Sequence, residues 1–433
     1  MKDTFKKIIV LIVTWEAKMV LKRYKPKIIA ITGSVGKTST KDAIFTVLSK
    51  FKKVRKSEKS FNSEIGLPLT ILGCPNGWSN PIVWLENIIK GLGLIIFKQE
   101  YPEYLVLEIG VGKPGDIKKN VAPWLNPDIV VITRFPDKPV HVEFFGSVEK
   151  IIEEKSALAF CLKKDGVLIL NHDDEKVYNL HTKANRRTVS YGMNDNATYK
   201  ATYHSYMNTM IDGVETTRGI SFKLEHDGNT FPVILPNIVG MHYVGSALAA
   251  LAVAFEVGCD LLASIKYVSE YTTPPGRLSL ISGMNDSLII DDTYNSSPVA
   301  AHAAVEVLNE MRGKRKIAVL GDMLELGKYT EEEHHSLGAA VAKVAQMLIV
   351  VGPRSKFIAE GAVDNGFKVK ELYSFDSSKT AAKFLEGVVE KGDLILIKGS
   401  QGVRLERAVA AIMADKSQKY KLLCRQEKEW ENR

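Results

Sequence analysis

The hydrophobic pattern along the chain alternates short apolar runs, rich in β-branched residues, with longer stretches at helical spacing. In the first part of the chain the apolar runs are KIIAITG, YLVLEIG and PDIVVITR, and the helical stretch TKDAIFTVLSKF follows the first of them. Runs of this kind separated by helical segments are typical of parallel strands joined by crossover helices. The pattern therefore predicts an α/β fold built on a parallel sheet.

The same alternation returns towards the C terminus. It begins with KIAVLGD, continues through the helical stretch EEEHHSLGAAVAKVA and the run MLIVVGP, and closes on DLILIKGS. We interpret it as a second, smaller, Rossmann-like α/β domain. Before it, the segment from Val189 to Asn237 combines β-forming residues with Gly and Asn turns, which predicts a β excursion within the first domain. The predicted divisions are an N-terminal helix over residues 1–26, a central domain over 27–274 and a C-terminal domain over 275–433.

Composition places the chain among globular proteins. It has 433 residues, of which 45% are hydrophobic and 25% charged. Its four cysteines are scattered without the short spacing of a zinc or redox motif, which predicts a reducing, cytoplasmic compartment. The net charge is +8, but residues 1–59 alone hold 16 Lys and Arg against four Asp and Glu. Because the basic charge is local, we predict no nucleic-acid partner.

The N-terminal basic region surrounds an apolar segment from Ile8 to Tyr24. Its uninterrupted apolar run, Ile8 to Val13, is too short to cross a bilayer, and no cleavage site follows. At helical spacing one stripe forms, and its members are Ile8, Leu11, Ile12, Trp15 and Met19. We predict a helix that packs this stripe against the rest of the protein; the alternative is peripheral contact with the inner face of a membrane through the flanking lysines.

A second apolar helix is predicted within CPNGWSNPIVWLENIIKGLGLIIFKQEYP. Four of its residues fall at helical spacing, namely Leu85, Ile88, Leu92 and Ile95. We expect the two apolar helices to pack together. The alternatives are a surface that faces a membrane and a surface that forms a dimer.

The stretch TGSVGKTST has the spacing of a loop that wraps nucleotide phosphates. Glycines let backbone amides approach phosphate oxygens, and the N terminus of the following helix adds a favourable partial charge. Lys37 would pair with the outer phosphates and Thr38 would ligate Mg²⁺. Position 31, where the usual form has glycine, is Ile31, so this is the compact GxxGKT variant. The predicted nucleotide-binding residues of the loop are Gly33, Ser34, Gly36, Lys37, Thr38 and Ser39.

Downstream motifs narrow the type of nucleotide-binding protein. No guanine-reading NKxD is present, which argues against a GTPase. Glu108 closes the strand YLVLEIG, where a second Mg²⁺ ligand would face the loop, although a strand-end Glu is more often a solvated rim residue. Lys155, taken alone, is an exposed helix lysine beside Glu153 and Glu154.

Several stretches together resemble the ATP-dependent Mur ligases of peptidoglycan synthesis. In chain order these are TGSVGKTSTKD, FNSEIGLPLT, LEIGVGKPGDI, HVEFFGS with Lys155, LNHDD, PPGR, IDDTYNSSP, AVLGDMLELG and LIKGSQGVRLE. The resemblance implies an ADP-forming ligase in which a carboxylate attacks the γ-phosphate of ATP and an amine takes the resulting acyl phosphate. The nearest likeness is to the reaction that adds D-alanyl-D-alanine to a UDP-muramoyl tripeptide. The implied partners are therefore a small-molecule or peptide acceptor and a dipeptide or amino-acid donor.

The resemblance also assigns roles to residues. Two Mg²⁺ ions are implied, one held by Thr38 and Glu108 and the other by His141 with Lys155, which the family carbamylates with CO2. Lys37, Lys155 and His141 are the implied catalytic residues. Arg277, Asp292 and Tyr243 are the implied additional nucleotide contacts, with Arg277 on the phosphates, Asp292 on the ribose and Tyr243 stacking on the base. The implied substrate-side residues are Asn62, Tyr294, Asn295, Lys398 and Ser400.

Departures from the family pattern leave alternatives open. Tyr243 and Ser246 replace two asparagines, and Gln401 replaces an arginine. The family normally has a whole domain before the phosphate loop, which holds the UDP-sugar. Here only about 26 residues precede the core, so we expect that domain to be missing or replaced. One alternative is thus an amide ligase acting on a lipid-linked or non-nucleotide acceptor. Another is a nucleotide-binding partner subunit without full ligase activity.

Overall fold

The protein folds into two compact units, as seen in a computed structural model that describes residues 2–58, 61, 64–78, 80–135, 145–211, 213–427 and 430. The first unit comprises residues 1–203, 222–233 and 242–271, and the second comprises residues 204–221, 234–241 and 272–433. The α/β class predicted from the apolar runs is confirmed. The domain limits at 27–274 and 275–433 stay predictions.

The first unit contains a parallel sheet. Its strands are β1 (Lys27–Thr32), β2 (Val54–Lys56), β3 (Tyr104–Glu108), β4 (Ile129–Ile132), β5 (Val167–Asn171) and β6 (Arg187–Gly192), in the order β2-β3-β1-β4-β5-β6. In the register, Ile31 of β1 pairs with Glu108 of β3, and Thr32 pairs with Ile132 of β4. The carboxyl ends of β1, β3 and β4 therefore meet at one edge, where ligands of such sheets bind.

The predicted β excursion is present, although its residues 204–221 and 234–241 group with the second unit rather than the first. Three strands follow β6 in the sheet order, and they are β7 (Tyr199–Ile211), β8 (Val214–His226) and β9 (Asn229–Pro236). The pairing of Tyr191 with Tyr199 joins β7 to the edge of the parallel sheet. The excursion thus extends the sheet that carries the phosphate loop.

Ten helices are described up to residue 271. They are α1 (Lys2–Tyr24), α2 (Lys37–Leu48), α3 (Gly66–Leu72), α4 (Pro81–Ile96), α5 (Ala122–Leu125), α6 (Val148–Phe160), α7 (Glu175–Tyr178), α8 (Leu180–Ala184), α9 (His242–Glu256) and α10 (Leu261–Val268). Side chains alternate across a strand, so β1 buries Ile28 and Ala30 in one core with α1, α3 and α4. None of the helices in the described part of the chain combines the length and apolar character that a membrane crossing requires.

The two apolar helices pack together, as predicted, but not through the predicted stripe of α1. The buried residues of α1 are Ile9, Val13, Ala17 and Val20, while Ile8, Leu11 and Trp15 are exposed. Apolar residues surround most of this helix, so periodicity alone does not select the packing face. The buried stripe holds smaller or β-branched side chains, and these allow the close approach that Gly91 of α4 makes possible.

Glu16 is buried where α1 meets α4. A Cβ built on Gly91 would lie 2.3 Å from one Glu16 carboxyl oxygen, so the carboxyl group rests on the backbone of α4. Neither Glu16 oxygen has a hydrogen-bond partner among the described residues. Burial raises the pKa of Glu16 from 4.5 to about 7, because the ionised form loses its hydration.

The second unit contains a six-stranded sheet. Its strands are β10 (Ser279–Ser282), β11 (Leu288–Asp292), β12 (Arg315–Gly321), β13 (Met347–Val351), β14 (Leu372–Phe375) and β15 (Asp393–Lys398), in the order β10-β11-β15-β12-β13-β14. Only β10 runs antiparallel to its neighbour. The helices are α11 (Pro298–Glu310), α12 (Thr330–Val341), α13 (Lys356–Asp364), α14 (Ser378–Val388), α15 (Glu406–Ile412) and α16 (Lys419–Leu422). The predicted second α/β domain is confirmed in its architecture.

Replacing Glu16 with Gln should change how stability depends on pH. The pKa of Glu16 is higher in the folded state than in the unfolded state. Below about pH 4.5 the carboxyl group is therefore largely protonated and does not destabilise the fold. Its ionisation progressively destabilises the fold as the pH rises through about 7. Urea unfolding should therefore show Glu16→Gln gaining about 3 kcal/mol relative to the native chain between about pH 4.5 and about pH 8.

Glu86→Gln is the matched control, because Glu86 lies on α4 but is exposed. Its stability difference from the native chain should stay nearly constant over the same range of pH. An equally constant difference for Glu16→Gln would contradict the assignment of Glu16 as a buried carboxyl group with a raised pKa.

Candidate functional site

The loop between β1 and α2 has the geometry of a phosphate-binding loop. Gly33 has φ 147° and Gly36 has φ 85°, both in the region that favours glycine. A Cβ on Gly33 would lie 2.0 Å from Thr133 Oγ1, so a side chain does not fit there. Helix α2 begins at Lys37 directly after Gly36, and no side chain caps it. Its N terminus can thus accept an anion from outside.

Two lysines converge on one carbonyl oxygen of this loop. Lys37 Nζ donates to Gly33 O at 3.0 Å, and Lys155 Nζ, from α6, donates to the same oxygen at 2.9 Å. Lys155 is buried, and burial, with the charge of Lys37 as a smaller cause, lowers the pKa of Lys155 from 10.5 to about 7. At neutral pH a large fraction of Lys155 is therefore an uncharged amine.

A hydroxyl and a carboxylate meet beside these lysines. Thr38 Oγ1 donates to Glu108, with distances of 3.2 and 3.0 Å to the two carboxylate oxygens. Glu108 is buried at the end of β3, which excludes the alternative that it is a solvated rim residue. Hard oxygen ligands of this kind are those that Mg²⁺ prefers. The residues therefore fit a magnesium ion at the phosphate loop, and their role as its ligands stays a prediction.

Sequence reasoning missed Lys41 and Thr133. Lys41 Nζ, on α2, lies 3.5 Å from a Glu108 carboxylate oxygen and is almost fully buried. Because Lys41 precedes Ile44 by three residues and Leu48 by seven, a charge within the apolar stripe of the helix was the available signal. Thr133 Oγ1 donates to Val35 O at 2.6 Å and holds the loop from the end of β4, which no motif indicated.

Glu154 was also missed, although it is adjacent to Lys155. Its buried carboxylate accepts hydrogen bonds from three backbone amides, those of Gly115, Ile117 and Lys118, at 2.8–2.9 Å. These amides belong to the loop that follows Glu108. The two successive residues on α6 thus have different roles, since Glu154 anchors that loop and Lys155 reaches the phosphate loop.

The remaining predicted residues of the first unit have varied positions. Ser39 is buried at the start of α2, and Ser34 donates its backbone amide to Arg134 O. Tyr243, on α9, is buried with its ring 6.3 Å from that of Tyr271, so stacking on a purine stays a prediction that requires its exposure. Asn62 and His141 lie outside the described residues. Their roles therefore stay predictions as well.

Ser246 helps to hold α9 against α2, the helix that follows the phosphate loop. Its Oγ accepts a hydrogen bond from Thr40 Oγ1 of α2 at 3.2 Å, and both residues are buried. A short serine at this position allows a direct contact between the two helices. The departure from the family pattern at Ser246 therefore has a structural use here.

In the second unit, predicted residues gather where β11 and β15 end side by side. Asp292 pairs with Lys398 in the register, and Lys398 Nζ donates to Asp292 at 2.6 Å and to Asn295 O at 2.9 Å. Lys398 is buried. The Arg277 guanidinium lies 4.3 Å above the Tyr294 ring, a cation–π contact. Ser400 Oγ accepts from the amide of Leu324 at 2.9 Å. Six of the predicted residues thus lie at or beside this strand edge.

A buried cluster near the C terminus, missed from the sequence, supports that edge. Arg425 donates to Tyr294 O at 2.9 Å, to Thr293 O and to Glu406 at 2.8 Å. Next to it, burial raises the pKa of Asp291 from 3.8 to about 7. The segment around Arg425 therefore fixes the backbone that follows Asp292.

Comparisons with known proteins agree with this arrangement. A family model described as the Mur ligase middle domain matches residues 31–254, and one described as the Mur ligase, glutamate ligase domain, matches residues 276–401. Together they cover the phosphate loop of the first unit and the strand edge of the second. The chain belongs to the Mur ligase family, which confirms the family identified from its motifs.

Individual relatives carry a more specific name. The UDP-N-acetylmuramoyl-tripeptide–D-alanyl-D-alanine ligase of Bacillus subtilis is 33% identical over 395 residues, covering 91% of this chain and 77% of the relative. The enzyme of that name from Escherichia coli is 28% identical, covering 92% and 79%. Among solved structures, MurF from Acinetobacter baumannii has a TM-score of 0.76 at 25% identity, covering 93% of this chain and 80% of that one. The MurF ligase of Thermotoga maritima in complex with ADP has a TM-score of 0.71 at 26% identity, covering 93% and 83%.

Replacing Glu154 with Ala should destabilise the first unit. The change leaves three backbone amides without their charged acceptor, which should cost about 2–4 kcal/mol of unfolding free energy. Chemical denaturation measures this loss directly. Glu153→Ala is the control, because Glu153 is exposed and paired with Lys118 at the surface, where such pairs contribute about 0–1 kcal/mol. Equal losses in both variants would refute the anchoring role of Glu154.

Proposed function

We propose that this protein is an ATP-dependent carboxylate–amine ligase that forms an amide through an acyl phosphate. The observation that carries the proposal is the convergence of Lys37, Lys155 and the Thr38–Glu108 pair on one phosphate loop. The named relatives support a specific reaction, the addition of D-alanyl-D-alanine to a UDP-muramoyl tripeptide in peptidoglycan precursor synthesis.

The proposed reaction first brings two anions together, the acceptor carboxylate and ATP, and then forms the amide. The acceptor carboxylate oxygen attacks the γ-phosphorus of ATP, the bond to the β–γ bridging oxygen breaks, and ADP leaves. The donor amine then attacks the acyl carbon, phosphate departs, and the amine loses a proton to give the amide. Bringing a carboxylate to a triphosphate is unfavourable without nearby cations. Lys37 supplies one of them, and Mg²⁺ held by Thr38 and Glu108 would supply further positive charge.

Nucleotide binding is assigned to loop residues and to two residues of the second unit. Gly33, Ser34, Gly36, Lys37, Thr38 and Ser39 would hold the phosphates, while Arg277 and Asp292 would contact the phosphates and ribose. A second Mg²⁺ near His141 is part of the proposal. Tyr294, Asn295, Lys398 and Ser400, with Asn62, are proposed to face the substrates.

Lys155 is proposed to act as a carbamate. A neutral amine attacks CO2 to give R–NH–COO⁻ and a proton, which converts a cation into a carboxylate. The lowered pKa of about 7 supports this, since the reactive uncharged form is abundant at neutral pH. A carbamate there would orient or bind the second metal ion beside Lys37.

A second acceptor class has its own support. Peripheral membrane contact through the N-terminal helix is part of our proposal, because Ile8, Leu11 and Trp15 are exposed on it. A protein held at a membrane surface could use a lipid-linked acceptor in the same ligation. The assay must therefore distinguish a UDP-muramoyl acceptor from a lipid-linked one.

Mass spectrometry tests the reaction. The purified chain is incubated with ATP, Mg²⁺, UDP-N-acetylmuramoyl-tripeptide and D-Ala-D-Ala, with phosphate release followed in parallel. We expect product at the mass of the pentapeptide. Phosphate release only with a lipid-linked or other carboxylate would move the function to a different acceptor. No turnover with any pair would favour a nucleotide-binding partner subunit.

Lys155→Ala should lower amide formation by about 10- to 100-fold, because loss of a group that orients a metal typically costs this much activity. Nucleotide binding should stay nearly intact. Isothermal titration with ATP and the ligation assay give the two measurements. In the native chain, ¹³C NMR with labelled bicarbonate should show a carbamate signal that grows as the pH rises through about 7.

Lys150→Ala is the matched control, because Lys150 is an exposed lysine on the same helix. It should retain both activity and the carbamate signal. Full ligase activity in Lys155→Ala would overturn the carbamate assignment, while leaving the ligase proposal in place.

A further inference from the structure

Two neighbouring helices of the first unit each expose an apolar stripe. On α4, Ile82, Leu85, Ile89, Leu92 and Ile96 follow at intervals of three and four residues, so they lie along one face. On α1, Ile8, Leu11 and Trp15 are exposed. Their exposed fractions run from 37% at Leu92 to 70% at Leu11. We call these eight residues the two-helix surface.

Exposure of this kind is not required by folding. Helices α1 and α4 already bury an opposite face, through Val13 and Ala17 on α1 and through Trp84 and Leu94 on α4. A helix that only covers a core carries polar residues on its outer face. Clustered large apolar side chains on that face mark an interaction surface instead.

Most of the charges around this surface are positive. Lys7, Lys18 and Lys22 are exposed and fall on the same stripe of α1 as Leu11 and Trp15, again at intervals of three and four. The acidic residue of α1 among its described side chains, Glu16, is buried on the opposite side. On α4, the exposed Glu86 lies four residues after Ile82 and three before Ile89, at the border of the apolar stripe. Lys90 and Lys98 are exposed in or just after α4.

This combination distinguishes between the possible occupants. A second copy of the chain would bring the α1 lysines of the two copies together, and like charges at an interface are unfavourable. An anionic lipid surface complements the lysines and accepts the aliphatic side chains. Trp15 suits the same location, because tryptophan concentrates at the boundary between lipid and water.

We propose that the two-helix surface docks the protein peripherally on an anionic lipid bilayer. The aliphatic residues of α4 and α1 enter the acyl boundary, and the lysines of α1 lie among the anionic headgroups. The apolar stripe of α4, which is the larger of the two, extends the contact beyond the N-terminal helix. Docking does not depend on turnover, so it can fail or succeed independently of the ligase reaction.

Vesicle binding of the full chain tests the proposal. We expect co-sedimentation with phosphatidylcholine vesicles that contain about 30% phosphatidylglycerol, weaker binding to phosphatidylcholine alone, and a loss of affinity as salt rises. Lipids brominated on their acyl chains should quench the fluorescence of the native chain more than that of Trp15→Phe. Equal binding to neutral and anionic vesicles, or no binding to either, would overturn the proposal.

Substitutions locate the contact. Leu85→Gln with Ile89→Gln should weaken binding by about tenfold or more, whereas Leu262→Gln with Val369→Gln, at apolar residues exposed elsewhere, should not. Lys7→Gln with Lys22→Gln should weaken binding to anionic vesicles by about tenfold or more, since each lysine near the surface contributes about fivefold. Lys343→Gln with Lys383→Gln is the charge control.

Sedimentation velocity tests the other possible occupant of the two-helix surface, which is a second copy of the chain. A stable dimer of the native chain that Leu85→Gln with Ile89→Gln converts to monomer would assign the surface to a second copy and overturn the lipid proposal. A monomer that still binds anionic vesicles supports it. Circular dichroism of each variant establishes that the folded state is retained, as expected for substitutions at exposed positions.

Discussion

The carbonyl oxygen of Gly33 is the point on which the candidate site depends. It accepts hydrogen bonds from Lys37 and Lys155, which come from different helices and would repel each other without it. The cationic side chain of Lys37 next to an uncapped helix N terminus creates a strong preference for an anion. Burial, with the charge of Lys37 as a smaller cause, lowers the pKa of Lys155 to about 7, so one arrangement both attracts phosphate and activates an amine.

This arrangement can be maintained only if the backbone around it is rigid. Gly33 lies so close to Thr133 that no side chain fits between them, and Glu108 is held between Thr38 and Lys41. Glu154 fixes the loop after β3 through three amides. These supports come from β4, α2 and α6, which are distant in sequence, so the parallel sheet itself assembles the site.

The parts predicted from the sequence share a property: their chemistry is local. The phosphate loop, Glu108 and the strand-end Asp292 are each defined by a short motif beside an apolar run, and the structure places each at a strand end. Lys41, Glu154 and Arg425 were missed because each acts through a partner that only the folded chain brings near. No short-range pattern distinguishes a buried Glu154 from its exposed neighbour Glu153.

The N-terminal helix shows the opposite difficulty, in which the pattern is strong but ambiguous. Apolar residues run around much of α1, so two stripes satisfy helical spacing and only packing selects between them. The stripe of Val13 and Ala17 is buried because small and β-branched side chains allow α4 to approach at Gly91. The bulkier Leu11 and Trp15 are then directed outwards among lysines. An exposed apolar face that results from tight packing, and that carries positive charge, is already suited to an anionic bilayer without any change in fold.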